Sequence, residues 1–132
     1  MSSDCYCTAL RKASRRATSL YDEALAPVGV NLAQFSLLRN IDRAGQVSLT
    51  ELARLTELDR STIGRNARVL ERMGLVKTAP GEDQREAVLK LDTKGRRVLR
   101  EGAPLWEEAQ QRLESALSPQ FAGLLQQLLQ AV

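Results

Sequence analysis

The chain has 132 residues, 43% of them hydrophobic but only 4% aromatic, which allows one aliphatic core and excludes two independent ones. Histidine is absent, so imidazole is excluded from any metal site, catalytic dyad or pH switch, and no nucleophile–base pair, phosphate loop or metal-ligand cluster is legible; an enzyme is not expected. The net charge of +3 is unevenly spread: residues 48–100 hold 12 Lys and Arg against 8 Asp and Glu, and residues 101–132 hold 1 against 4, so the middle of the chain is expected to meet a polyanion.

Residues 4–26 have helical spacing, with Leu10, Ala13, Ala17, Leu20 and Ala24 on one side, and the helix is expected to end before Pro27-Val28-Gly29. Asn31 is placed to cap a second helix carrying Phe35, Leu38 and Ile41, and Gln46-Val47 reads as a brief strand. Ser48 with Glu51 three residues on forms a capping-box pattern, opening a short helix whose buried side is Leu49, Leu52 and Leu55. After the turn Thr56-Glu57-Leu58, Asp59 is a good N-cap for a helix starting near Arg60, and Gly74 stands where a C-terminal glycine cap belongs.

Leu75–Thr78 and Ala87–Leu91 then read as strands joined by the polar turn Pro80–Arg85. Thr93 is a plausible cap for a long helix with the seam Val98, Gly102, Leu105, Ala109, Leu113 and Ala116, in which Pro104 predicts a bend around 100–103. Ser118-Pro119 reads as a cap and N1 proline before a last helix with Phe121, Leu124, Leu125, Leu128 and Leu129 on one side. The first helix and the last two carry more apolar surface than a compact domain covers, so a second copy of the chain is the expected cover.

The helix from Arg60 has two faces. Ile63, Ala67 and Leu70 form a packing stripe, whereas Ser61, Arg65, Arg68 and Arg72 form the opposite one, with Asn66 on the flank and Gly64 keeping the first half slim. Thr62 belongs with them at the helix start. Arginine pairs bidentately with guanine, asparagine with adenine, and short side chains at the start let a helix approach the major groove, so this face is suited to reading duplex DNA.

The pattern from Leu52 through Gly95, with RSTIGR, LERMGLV and GEDQREAVLKLDTKG, resembles the winged helix-turn-helix of the multiple-antibiotic-resistance regulator (MarR) family, and more loosely the resemblance extends over nearly the whole chain. It implies a mainly α fold with a small β-hairpin wing. Residues 1–132 form a single domain, 31–92 the DNA-binding part, and 1–30 and 93–132 the dimerisation helices. By the same resemblance Gln84 and Arg85 at the wing turn contact DNA, Arg85 in the minor groove, and Asp83 holds the shape of the wing. Two heads related by a two-fold axis would read a pseudo-palindromic double-stranded operator. The resemblance further implies a homodimeric bacterial repressor, and a small aromatic effector in a crevice beside Tyr21, Phe35, Arg39 and Trp106; no cofactor is expected.

Cys5 and Cys7 are the only cysteines and leave three readings open: small residues packed in a dimer core, thiols that sense oxidant with Arg11 and Arg15 nearby, or metal ligands, for which two thiols without histidine are a poor set. With no apolar run of membrane length and no apolar N-terminal segment, a cytoplasmic location is expected and no membrane partner. The competing function is a winged-helix module that binds protein rather than DNA.

Overall fold

Apolar residues recurring every three to four positions fold as helices, and the one alternating stretch folds as a sheet, in a computed structural model that describes residues 5–82 and 86–132. The order is α1 (Tyr6–Leu25), a 3-10 turn (Ala26–Val28), α2 (Leu32–Ala44), β1 (Val47–Ser48), α3 (Leu49–Thr56), α4 (Arg60–Arg72), β2 (Val76–Pro80), β3 (Ala87–Leu91), α5 (Thr93–Ala116) and α6 (Phe121–Ala131). The mainly helical class with a small antiparallel sheet is the one the sequence implies.

One aliphatic core sits where α2, α3, α4 and the sheet converge. Leu25, Leu38, Ile41, Leu52, Ile63 and Leu70 are wholly buried, and Phe35, Leu75, Val76 and Leu89 pack with them. Each such side chain contributes about 1.5–3 kcal/mol of transfer free energy, so the stripe Ile63, Ala67 and Leu70 fixes the rotation of α4 about its own axis. Leu37, which lies off the anticipated Phe35, Leu38 and Ile41 stripe, is buried as well.

The sheet has the order β1-β3-β2, antiparallel throughout, with Val47 opposite Leu89 and Val76 opposite Leu91. The hairpin β2–β3 is paired out to Pro80 opposite Ala87. Strand β2 thus runs two residues further toward the tip than expected and begins one residue later. The short β1 covers the free edge of β3 and joins the wing to the start of α3.

The helix ends follow local chemistry closely. Asn31 closes a full capping box with Gln34 on α2. Ser48 accepts from the Glu51 amide, but the Glu51 carboxylate turns away to Arg54, a charge-assisted pair that outcompetes the neutral amide of the cap, so the box on α3 is half closed. The buried side of α3 is centred on Leu52 and Ala53, with Leu49 and Thr56 beside them. Leu55, expected inside, lies about 110° from that centre and is largely exposed.

The long helix is capped by Asp92, whose carboxylate accepts from the Thr93 amide; Thr93 is its first residue rather than its cap. It continues through Pro104 to Ala116. Ser118, Pro119 and Gln120 form a turn, with the Phe121 amide donating to the Ser118 carbonyl, so α6 starts later than the Ser-Pro pattern implies and Ser118 is not its cap. Two close approaches dock α5. A Cβ on Gly95 would lie 2.1 Å from the Leu75 carbonyl oxygen, and one on Gly102 would lie 2.7 Å from the Phe35 ring. By contrast, Tyr6 and Leu10 on α1 and Leu124, Leu125, Leu128 and Leu129 on α6 are exposed on the single chain.

Candidate nucleic-acid interface

The first turn of α4 is built around Asp59. Its carboxylate accepts from the Thr62 amide at 3.0 Å, from the Thr62 hydroxyl at 2.8 Å and from the Ser61 hydroxyl. These donors, the Ser61 hydroxyl foremost, hold the Asp59 carboxyl far below the usual carboxylate range. Ser61 and Thr62 therefore spend their hydroxyls on the cap while their small bodies stay at the surface. Arg65 is steadied in turn by a 3.3 Å hydrogen bond to the Thr62 oxygen.

Beyond that turn, Arg65, Arg68 and Arg72 stand exposed along one face, and Asn66 is half-buried on the flank. Among the described residues no carboxylate lies within ion-pair distance of these three arginines. The opposite stripe, Ile63, Ala67 and Leu70, is buried. The far end of α4 is fastened to the hairpin, since the Thr78 hydroxyl donates to Glu71 at 2.9 Å.

Between α4 and the hairpin lies a groove of about 510 Å³, walled by Ser61, Gly64, Arg65 and Arg68 on one side and by Thr78, Ala87 and Val88 on the other. A Cβ on Gly64 would meet nothing within 4 Å, so this wall is thin where the groove is open. Exposed guanidiniums on a rigid helix of this width have the donor geometry for guanine edges or phosphate oxygens. Asp83, Gln84 and Arg85 lie outside the described residues.

One cluster escaped the sequence reading. Glu86, at the loop end of the hairpin just before β3, accepts from the Thr50 hydroxyl at 2.7 Å and the Thr50 amide at 3.3 Å, and lies 3.7 Å from the Arg60 guanidinium. Arg60 Nε donates to the Thr50 oxygen at 3.3 Å, closing a ring of α3, α4 and the hairpin. Thr50, led by its hydroxyl, together with Arg60, lowers the Glu86 carboxyl. The signal is absent from local patterns because the partners are ten and thirty-six residues apart.

The four residues expected beside an effector do not share one cavity. Phe35, Arg39 and Trp106 line a crevice of about 310 Å³ with Asp42, Arg43, Leu99 and Glu107. Arg39 lies over the Trp106 ring, 4.3 Å from its centre, while the Phe35 ring is buried beneath Gly102. Tyr21 meets Trp106 at a centroid distance of 6.4 Å but belongs to a second crevice, of about 430 Å³, with Gln110, Leu113, Phe121 and Leu125. Its hydroxyl donates to the Gln110 side chain, and burial, with help from Glu114, raises its pKa. Trp106 and Gln110 lie one turn apart on the same face of α5, so the two crevices follow one another along that helix.

Cys5 and Cys7 are both exposed free thiols on the single chain. Cys5 is the N-cap of α1, without a side-chain capping hydrogen bond of full geometry, and its pKa is lowered by the nearby Thr8 amide first and the Thr8 hydroxyl second. Arg11 and Arg15, credited on sequence grounds, are not among the causes. No group of three metal-ligating side chains occurs among the described residues, and no described helix is long and apolar enough to cross a membrane.

With this geometry in place, comparison with known proteins is informative. Residues 28–86 match the family model described as the MarR family. The transcriptional regulator MosR of M. tuberculosis, solved in complex with DNA, is 34% identical with a TM-score of 0.86, covering 97% of this chain and 96% of that one. A probable transcriptional regulator from Pseudomonas aeruginosa is 27% identical, covers 97% and 96%, and has a TM-score of 0.84. A cysteine-to-serine mutant of E. coli MarR complexed with operator DNA shares the fold at 24% identity, with a TM-score of 0.85 over 94% and 90% of the two chains. Among curated protein sequences none matches significantly.

Proposed function

The chain belongs to the MarR family of transcription regulators, and from that premise we propose that it binds double-stranded DNA as a homodimer and represses transcription at a pseudo-palindromic operator in the bacterial cytoplasm. The observation that carries the reading is the α4 face. Arg65, Arg68 and Arg72 are exposed on a helix whose rotation is locked by Ile63, Ala67 and Leu70 and whose first turn is locked by Asp59. In this reading Ser61, Thr62, Arg65, Asn66, Arg68 and Arg72 face the major groove. Arg85 and Gln84 reach the minor groove or the phosphates, and Asp83 shapes the wing.

Support for the homodimer comes from the apolar residues of α1 and α6 that a single chain leaves open. Release follows from a change at these helices. A small aromatic molecule entering beside Trp106 and Arg39, or oxidation of Cys5 and Cys7 at the start of α1, would alter how two heads are spaced. The experiment is to footprint DNA protected by the purified protein and to sediment the free protein. A dimer protecting two half-sites about one helical turn apart is expected. A folded monomer at micromolar concentration, or the absence of any protected DNA, contradicts the proposal.

A further inference from the structure

Of the four arginines on α4, Arg60 is the one that a described carboxylate engages. It opens the helix and lines the same groove as Arg65 and Arg68. Its partner Glu86 does not belong to a helix; it stands at the loop end of the hairpin, just before β3. A single oxygen of that carboxylate draws together the Thr50 hydroxyl, the Thr50 amide in the first turn of α3 and the Arg60 guanidinium. The cluster is open to solvent, with 61% of the Arg60 side chain and 36% of the Glu86 side chain exposed. An exposed pair of this kind is weakly held and readily exchanged.

Resting on the DNA-binding reading, we propose that Glu86 is an internal competitor of the DNA backbone: in the free protein its carboxylate occupies the Arg60 and Thr50 donors, and a duplex phosphate takes them over on binding. Charge and position both carry this. The donors sit at the starts of two helices, where amide dipoles favour any anion, and carboxylate and phosphate oxygens accept the same hydrogen bonds. Glu86 subtracts one unit of positive charge from the groove when no DNA is there, and so holds down attachment to DNA of any sequence. Because the competition concerns phosphate alone, it acts on affinity and leaves base preference untouched.

Glu86→Gln separates this role from simple anchoring. The glutamine oxygen still accepts from the Thr50 amide and hydroxyl, so the start of β3 stays tied to α3, while the charge that occupies Arg60 is gone. The probe is a labelled mixed-sequence duplex of about 30 bp, titrated by anisotropy between about 50 and 200 mM salt, where binding is dominated by phosphate contacts. The variant is expected to bind more tightly than the native chain across that range, by about 1.5- to 5-fold per reading head, the worth of an exposed ion pair, with the salt slope unchanged because Arg60 meets the same phosphate in both. Adding Arg60→Gln is expected to abolish the gain.

Weaker or unchanged binding by the E86Q variant overturns the proposal, as does loss of its fold in a circular-dichroism melt, since either makes Glu86 an anchor of the hairpin. A gain that survives in the double variant overturns it too, because the effect then does not pass through Arg60. If the native chain itself shows no salt-dependent binding, the DNA-binding reading fails and takes this inference with it.

Discussion

Gly64→Ala tests the α4 face by moving stability and binding in opposite directions. A helix-interior glycine costs roughly 0.5–1 kcal/mol relative to alanine, and a Cβ at this position meets nothing within 4 Å, so no steric term offsets the gain. The variant is expected to be more stable by that amount, which for a chain of this length raises the melting temperature by about 3 °C. The added methyl, however, stands on the wall of the groove between Ser61, Arg65 and Arg68, where the proposed DNA contact brings the helix backbone close to the bases. Displacing the helix there is expected to lose at least one base contact, about 1–3 kcal/mol of operator affinity. Thermal unfolding and an operator titration on the same preparation give both numbers. A destabilised variant refutes the steric reading, and a stabilised variant with native affinity refutes the assignment of this face to DNA.

Gly95→Ala has the same gain in helix propensity but the opposite sign, because its Cβ would lie 2.1 Å from a backbone oxygen that cannot rotate away; a net loss of about 1–3 kcal/mol is expected in urea unfolding. Acid is expected to destabilise the fold through Glu51, Asp59 and Glu86. Their folded pKa values lie below ordinary carboxylate values, so the stability they add is present above about pH 4.5 and is lost as pH falls through the folded values. Asp59→Asn is expected to flatten that acid limb, and an unchanged limb would remove the cap from the account. For the thiols, peroxide is expected to weaken operator binding by the native protein and not by a Cys5→Ser, Cys7→Ser variant; equal responses would make the cysteines packing residues.

What could be read from residues alone was mostly what neighbours in sequence decide. Asn31 and Asp59 cap their helices because a short side chain with an acceptor needs only the next turn to satisfy it. The two faces of α4 follow from a 100° step, and the hairpin from alternation between two turn signals. Errors arose where a second partner competed. Glu51 was free to choose Arg54 over the cap, and Ser118 gave its carbonyl, not its hydroxyl, to the next helix. The Thr50, Arg60 and Glu86 ring and the division of Tyr21 from Phe35 depend on tertiary packing across three or more elements. The lowered pKa of Cys5 has its cause one turn away at Thr8, a helix-start effect mistaken for the influence of more distant arginines.

The most direct test of the central claim is the base preference of two arginine variants across a library of operators. Under the proposal Arg65 reads the major groove from α4, whereas Arg85 carries the same charge to the minor groove. Arg65→Ala is expected to relax preference at one or two base pairs, by about 1–3 kcal/mol per lost contact, whereas Arg85→Ala lowers affinity across the library and leaves major-groove preference as it was. Identical profiles for the two variants, differing from the native protein only by a uniform loss of affinity, would contradict the claim that α4 reads sequence.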